Sequence, residues 1–262
     1  MIVKRYARGP HGQIHLRETS VTGGAPLLCL HATAYSSRSF LPLLRQFDSE
    51  RHVIAVDTPG YGESDAPEAP LDIAGYAGEI AEMIGAEHQA VDILGYHTGV
   101  SIGAEIAIRY PHLVRRLVMI GIPYFRALDF DDWRSRLASR HQLTTKLAQF
   151  EERWDFLVTR RAVGLSLQGG FRNFVDELKA WPDGSWAHEA LFEHDLDARL
   201  PLIGQPVLVL NPAGHLAAPS RIAAQLIQGA VVEEMPDLAG AFLETAADIL
   251  AVRIGQFLDA EL

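Results

Sequence analysis

The chain has 262 residues, 48% of them hydrophobic, which suits one large α/β domain with a full core and a small insertion. Its net charge of −10 argues against nucleic acid or an anionic membrane as a partner, because both attract basic patches. No apolar run is long enough to span a membrane, and the N-terminal residues are too polar for a signal peptide. The single cysteine, Cys29, cannot form an internal disulfide, so we expect a cytoplasmic protein.

The first elements predicted along the chain are the two strands of a β-hairpin, in KRYARG and QIHLRET, around a PHG turn. Short apolar runs then alternate with helical patterns, which predicts a mostly parallel, doubly wound α/β sheet. The predicted parallel strands are residues 26–30, 53–56, 91–94, 117–120, 207–210 and 230–233. The predicted helices between them are residues 37–47, 72–85, 99–110, 220–227 and 247–258.

One long segment, residues 126–199, contains no strand-like run and is helical in pattern and rich in Trp, Phe and charge. It lies between the fourth and fifth parallel strands. We therefore predict a core formed by residues 1–125 and 200–262, with 126–199 inserted as a helical cap. Such a cap would cover the carboxyl edge of the sheet, where open α/β sheets bind ligands. The alternative is a helical layer packed elsewhere on the core.

Five motifs occur in the order and at the spacing of a known family. They are LCLHATAYSSRSF, VIAVDTPGYGESDAP, VDILGYHTGVSIGAEIAIRYPHL, LPLIGQPVLVLNPAGH and MPDLAGAFLE. Over essentially its whole length the chain resembles the α/β-hydrolase superfamily. The resemblance implies the α/β-hydrolase fold, with a catalytic residue on a sharp turn between a strand and a helix, called the nucleophile elbow.

Two overlapping segments fit the elbow pattern G-x-S-x-G or its variant with histidine. Gly95 to Gly99 has His97 at its centre, and Gly99 to Gly103 has Ser101 there. The elbow must follow its strand at once, and the predicted strand ends just before Gly95. The sequence therefore predicts the elbow at His97, and it predicts Ser101 as a small residue on a packed helix.

All three triad positions implied by the resemblance have changed. The nucleophile position holds His97, the acid position after the fifth parallel strand holds His215, and the position of the late histidine holds Gly240. An acyl-enzyme mechanism through Ser, His and Asp is thus not expected at these positions. The family's backbone oxyanion hole survives side-chain replacement, so we expect donors at Ala32, Thr33 and Thr98. His97 lies at a helix N-terminus, where a neutral imidazole is favoured, and it can act as a base.

Three histidines, His31, His97 and His215, are predicted to lie at the same edge of the sheet and are the candidate catalytic residues. For His31 the alternative is that it braces the oxyanion loop, and for His215 that it is a solvated loop residue. Their spacing has no local zinc signature, so neither a metal nor another cofactor is predicted. Asp57 is predicted to hold its turn. Further candidate contacts for a ligand are the polar Tyr35 and Ser36 and the aromatic Tyr124, Trp154, Trp181 and Trp186.

These observations leave two classes of function open. The first is an enzyme acting on a small, largely apolar carbonyl or ester compound, with His97 as general base or as nucleophile facing the oxyanion hole. Hydrolysis, C–C cleavage, decarboxylation and isomerisation all fit such a site. The second is a catalytically silent hydrolase fold that binds a small molecule. The sequence does not indicate the oligomeric state.

Overall fold

The computed structural model describes residues 1–21, 23–125 and 145–261. They form an eight-stranded sheet with the strand order β1-β2-β4-β3-β5-β6-β7-β8. The hairpin strands β1 and β2 are antiparallel to each other, and β2 is antiparallel to β4. The remaining neighbours are parallel, so the predicted mostly parallel α/β sheet is confirmed.

The strands coincide closely with the predicted apolar runs. They are β1 Ile2–Gly9, β2 Gly12–Thr19, β3 Leu27–Leu30, β4 Val53–Val56, β5 Val91–Tyr96, β6 Val114–Ile120, β7 Val207–Ala213 and β8 Val231–Ala239. The central strand β3 is buried along its whole length, as expected for a strand covered on both faces. Strand β8 continues into residues that the sequence assigned to a loop.

The helices, numbered over the described residues, follow the predicted helical patterns. They are α1 Leu41–Phe47, α2 Ile73–Gly85, α3 Thr98–Arg109, α4 Ala148–Trp154, α5 Leu167–Lys179, α6 Trp186–Glu193, α7 Leu196–Arg199, α8 Ala217–Ala224, α9 Phe242–Thr245 and α10 Ala247–Asp259. Polar side chains cap two of the longer helices. Asp72 accepts a hydrogen bond from Gly75 N–H at the start of α2, and Ser166 accepts one from Gly169 N–H at the start of α5.

Two hydrophobic clusters cover the two faces of the sheet. One cluster joins the sheet to α2, α3 and α6, and the other joins it to α1 and α10. Helices on both faces are the mark of a doubly wound sheet. Because every parallel strand then runs in the same direction, the loops after β3, β5 and β7 meet at one edge, where the candidate residues lie.

The predicted cap falls between β6 and β7. Its residues 126–144 lie outside the described residues, and residues 145–199 contain α4 to α7 and no strand. Helix α6 packs on α2 and α3 of the core. In the part of the chain that the structure describes, no helix has the length and hydropathy needed to cross a membrane.

Candidate active site

The turn between β5 and α3 is centred on His97. Its φ of 52° and ψ of −115° make it the one non-glycine residue with positive φ in the described ranges. A residue held in this region stores about 1–3 kcal/mol of strain. The flanking glycines permit the tight approach, because a Cβ on Gly95 would lie 2.6 Å from Gly99 O and one on Gly99 would lie 2.0 Å from Leu30 O. His97 therefore occupies the elbow, as the sequence predicts.

Ser101, at the centre of the second elbow pattern, lies inside α3 and has no exposed surface. Its Oγ atom is buried and has no hydrogen-bond partner among the residues described. A hydroxyl in this position cannot meet a substrate or a general base. The second pattern is therefore part of a packed helix.

The ring of His97 is partly buried and is held in the neutral state. Burial, and to a smaller extent charge repulsion from the nearby His215, together lower the pKa of His97 to about 4. The positive end of α3 acts in the same direction. The ring lies edge-on to His188 of α6, with centroids 6.0 Å apart, and tilted against Phe125 at 6.2 Å.

A small hydroxyl network lies on the other side of His97. The Nδ1 atom of His97 is 3.2 Å from Oγ1 of Thr98. The same Oγ1 accepts a hydrogen bond from Thr33 Oγ1 at 2.9 Å and a longer one from Thr33 N–H at 3.4 Å. Thr98 is the first residue of α3, so its own N–H has no partner within the helix. Two of the expected oxyanion donors, the amides of Thr33 and Thr98, thus belong to residues in direct contact.

His31 is the first residue after β3, and both nitrogens of its ring have hydrogen-bond partners. Nδ1 contacts Ala32 O at 2.9 Å, and Nε2 accepts a hydrogen bond from Thr58 N–H at 3.0 Å. Because Nε2 is an acceptor, the ring is neutral with its proton on Nδ1. Burial also lowers its pKa. This geometry favours bracing of the oxyanion loop over contact with a ligand.

The positions of the other two triad residues differ in character. His215 follows β7 and is largely exposed, and the partial burial that remains lowers its pKa. Gly240 adopts φ of 64°, and a Cβ there would lie 2.3 Å from Val163 O. Ala241 N–H donates to the same carbonyl at 2.9 Å. The backbone of residue 163 therefore occupies the space in which a late histidine would begin.

A cleft next to this point, called here the tyrosine cleft, has a volume of about 110 Å³. Its lining includes Tyr35, Tyr96, Gly240 and Phe242, but not His97. Burial raises the pKa of both tyrosines, which are therefore neutral donors at neutral pH. Tyr35, which the sequence predicts as a polar contact for a ligand, lines this cleft.

The remaining predicted contacts have the following surroundings in the structure. Ser36 is buried, and its Oγ donates to Asp176 of α5 at 2.8 Å. Tyr124 donates to Asp197 at 2.5 Å. The ring of Trp154 is 41% exposed and packs edge-on against two phenylalanines of α5. Trp186 begins α6 and is partly buried.

Asp57 is a structural residue in its turn, as the sequence predicts. Burial alone would raise its pKa, but hydrogen bonds from His15 and from the Ser37 and Glu63 amides hold the pKa well below its usual range. In the ranges described, no group of three or more His, Cys, Asp or Glu is arranged to hold a metal ion.

Sequence reasoning missed three residues around the elbow: Phe125, His188 and Tyr96. His188 and Phe125 contact the ring of His97, and Tyr96 lines the tyrosine cleft. No local pattern marks His188, because its place depends on how α6 packs on the core. Tyr96 does have a signal, since it immediately precedes the elbow residue.

The comparisons with known proteins agree with the fold. A model of the alpha/beta hydrolase fold matches residues 25–211. The chain is 32% identical over 134 residues to 2-(acetamidomethylene)succinate hydrolase of Mesorhizobium japonicum, a match that covers 50% of this chain and 48% of the relative. The chain thus matches only about half the length of that relative.

Solved structures resemble the whole chain at lower identity. A hydrolase from Pseudomonas aeruginosa has a TM-score of 0.81 at 20% identity, covering 98% of both chains. The enol-lactonase from Burkholderia xenovorans has a TM-score of 0.79 at 22% identity, covering 98% of this chain and all of that one. At such identity these likenesses show the fold alone.

Proposed function

Because the chain belongs to the α/β-hydrolase family, we propose that it is an enzyme that hydrolyses a small, largely apolar carbonyl or ester compound with His97 as general base. The observation that carries this proposal is a neutral imidazole on the strained elbow, in contact with a residue whose amide faces the same site. The name of the Mesorhizobium relative, a hydrolase of a succinate derivative, supports a small-molecule substrate.

The proposed step begins with water. If Nδ1–H of His97 donates to Thr98 Oγ1, Nε2 keeps a lone pair and can accept a proton from water as its oxygen attacks the carbonyl carbon. The negative charge that develops on the carbonyl oxygen is stabilised by the amides of Thr98 and Thr33. When this intermediate collapses, the carbonyl re-forms, the bond to the leaving alcohol breaks, and the alcohol oxygen takes the proton from Nε2, which regenerates the base. The Thr33 N–H is available because its present contact is long, at 3.4 Å. Each such donor contributes about 3–4 kcal/mol to transition-state stabilisation.

The low pKa of His97 limits this base. A base works best when its pKa is near the working pH, and the pKa of His97 is about 4. At neutral pH the imidazole ring is therefore in its neutral form, but it is a weak base. We propose a contribution at the lower end of the usual range for a general base, about 10²-fold.

The other candidate residues receive supporting roles in this proposal. His31 braces the loop that carries Thr33, and His215 repels a proton from His97. Residues 126–199 act as a cap that limits access of water, with α6 placing His188 against the elbow.

The second candidate function is binding without catalysis. One observation favours it specifically: the tyrosine cleft is lined by Tyr96 and not by His97. A ligand held there would contact the site beside the elbow rather than the imidazole.

Turnover of short p-nitrophenyl esters by wild type, His97→Ala and Ser101→Ala separates the two candidates. The enzyme proposal requires turnover that falls about 100-fold in His97→Ala and persists in Ser101→Ala, with no labelling by a fluorophosphonate probe. If the rate is unchanged in His97→Ala but is lost in Ser101→Ala, His97 is not the elbow residue. No turnover, with a ligand-induced rise in melting temperature, would favour the binder.

A further inference from the structure

A second cleft lies where α1 meets the cap helix α5. It has a volume of about 250 Å³, and three arginines line it: Arg38 and Arg45 from the core and Arg172 from α5. We name it the arginine cleft. In a chain with a net charge of −10, three guanidinium groups around one concave site stand out.

The charges of this cleft do not cancel. Its lining contains two carboxylates, Asp176 and Glu244, against three guanidinium groups. Asp176 is 2% exposed and is already bound, accepting hydrogen bonds from Ser36 Oγ at 2.8 Å and from Arg38 Nη2. Glu244 lies beside the first turn of α5, where a Cβ on Gly169 would be 2.7 Å from its Oε1.

The two remaining arginines carry the surplus positive charge. Arg45 and Arg172 are exposed, and the structure assigns them no ion pair with any described residue. Arg45 belongs to α1 and Arg172 to α5, so two different helices each bring a guanidinium group to the cleft that an anion would occupy. Guanidinium groups form paired, charge-assisted hydrogen bonds with planar carboxylates and with phosphates, which share this chemistry.

The arginine cleft also continues into the tyrosine cleft. Ser39, Asn173 and Glu244 line both of them. An elongated ligand would therefore meet aromatic side chains at one end, a hydroxyl, an amide and the Glu244 carboxylate in the middle, and guanidinium groups at the other end. This order suits a molecule with an apolar body and one anionic end.

We propose that the arginine cleft is a binding site for the carboxylate or phosphate group of a small molecule whose apolar part occupies the tyrosine cleft. The site depends on the arginines and on the joint between the core and α5. It does not depend on any catalytic role of His97.

Calorimetric titration at low ionic strength tests this site with three probes: phenylacetate, its uncharged analogue phenylacetamide, and inorganic phosphate. We expect phenylacetate to bind and phenylacetamide to bind at least tenfold more weakly. Binding of phosphate as well would assign the site to the anion alone, and binding of phenylacetate only would assign it to carboxylates with an apolar body. Addition of about 0.5 M NaCl should lower the binding affinity of the protein for either anion.

The test variant carries both Arg45→Gln and Arg172→Gln. Its matched control is Arg8→Gln, since Arg8 is an exposed arginine on β1. The double variant should lose at least tenfold in affinity, and Arg8→Gln should stay within about twofold of wild type. His97→Ala should keep full affinity even if it abolishes turnover, which separates this site from the proposed catalysis.

Three results would overturn the assignment. They are equal affinity for phenylacetate and phenylacetamide, unchanged affinity in the double variant, and no heat with either anion at millimolar concentration. Melting curves without ligand, which should coincide for wild type, the double arginine variant and Arg8→Gln, exclude misfolding as the cause of a loss.

Discussion

Replacing His97 by asparagine is expected to change how the stability of the protein depends on pH. In the folded protein, burial and the neighbouring His215 lower the pKa of His97 from 6.5 to about 4. In the unfolded chain the same ring titrates near its ordinary pKa of about 6.5. Between these two values the unfolded chain binds a proton that the folded protein does not bind. The stabilisation from a neutral His97 is therefore complete above about pH 6.5 and is lost as the pH falls towards 4.

The expected magnitude follows from the width of this window. Each pH unit inside it removes about 1.4 kcal/mol, so going from about pH 7.5 to about pH 5 lowers the free energy of unfolding by about 2 kcal/mol through this group. Asparagine is the matched replacement, because it also tolerates positive φ but does not titrate. The other histidines are present in both proteins, so their titration cancels in the comparison.

Urea unfolding of wild type and His97→Asn at about pH 7.5, 6 and 5 measures this difference. The wild type should lose about 2 kcal/mol more than the variant over the full range. If the two free energies of unfolding fall in parallel to within about 0.5 kcal/mol, the ring of His97 is solvated. The argument for a buried neutral base would then be wrong.

Four further predictions concern the same elbow and the cap. Ester turnover should not change between about pH 6 and 8 and should fall as the pH drops through about 4, because only the neutral ring of His97 accepts a proton. Thr98→Val removes the hydroxyl beside Nδ1 and should lower kcat about tenfold with little change in KM, whereas Thr98→Ser should retain it. Ser101→Ala removes a buried hydroxyl without a described partner, so chemical denaturation should show a gain of about 1 kcal/mol. Arg153→Met breaks the buried pair with Glu177 and should cost about 3–5 kcal/mol in the same measurement.

The sequence predicts the sheet well because its strands are specified locally. Residues 53–56 form a strand with the predicted bounds, since a short run of apolar and mostly β-branched residues between polar segments fits a strand buried on both faces. The elbow is predictable for a related reason. Glycines two residues before and two residues after His97 are needed for close backbone contact, and that requirement appears directly in the spacing.

The surroundings of the elbow depend on packing between distant segments and have no local signal. Ser36, predicted as a ligand contact, instead binds Asp176, which is 140 residues away in the chain. His188 reaches His97 only because α6 packs on α3. A helical pattern shows that a cap helix exists, but it does not show which turn of that helix faces the core.

The position at which the resemblance implies a late histidine, Gly240, is packed tightly against the backbone of residue 163. Gly240 has φ of 64°, and Gly229 has φ of 74°, so a side chain at either position is strained. A Cβ on Gly229 would have no atom within 4 Å, whereas a Cβ on Gly240 would lie 2.3 Å from Val163 O. Gly229→Ala should therefore cost about 1–2 kcal/mol from backbone strain alone. Gly240→Ala should cost about 1–3 kcal/mol more, because residue 163 must move.

Urea unfolding of the two alanine variants measures the cost of the clash, because the backbone strain common to both cancels in the difference between their free energies of unfolding. If Gly240→Ala proves no less stable than Gly229→Ala, the backbone at Val163 moves aside without a measurable cost, and a side chain at position 240 can be accommodated. If the predicted difference is found, Gly240→His should destabilise the protein without creating a pair with His97. A histidine at position 240 would then require the Val163 carbonyl to move from its present place, because the Cβ of any side chain there would lie 2.3 Å from that oxygen.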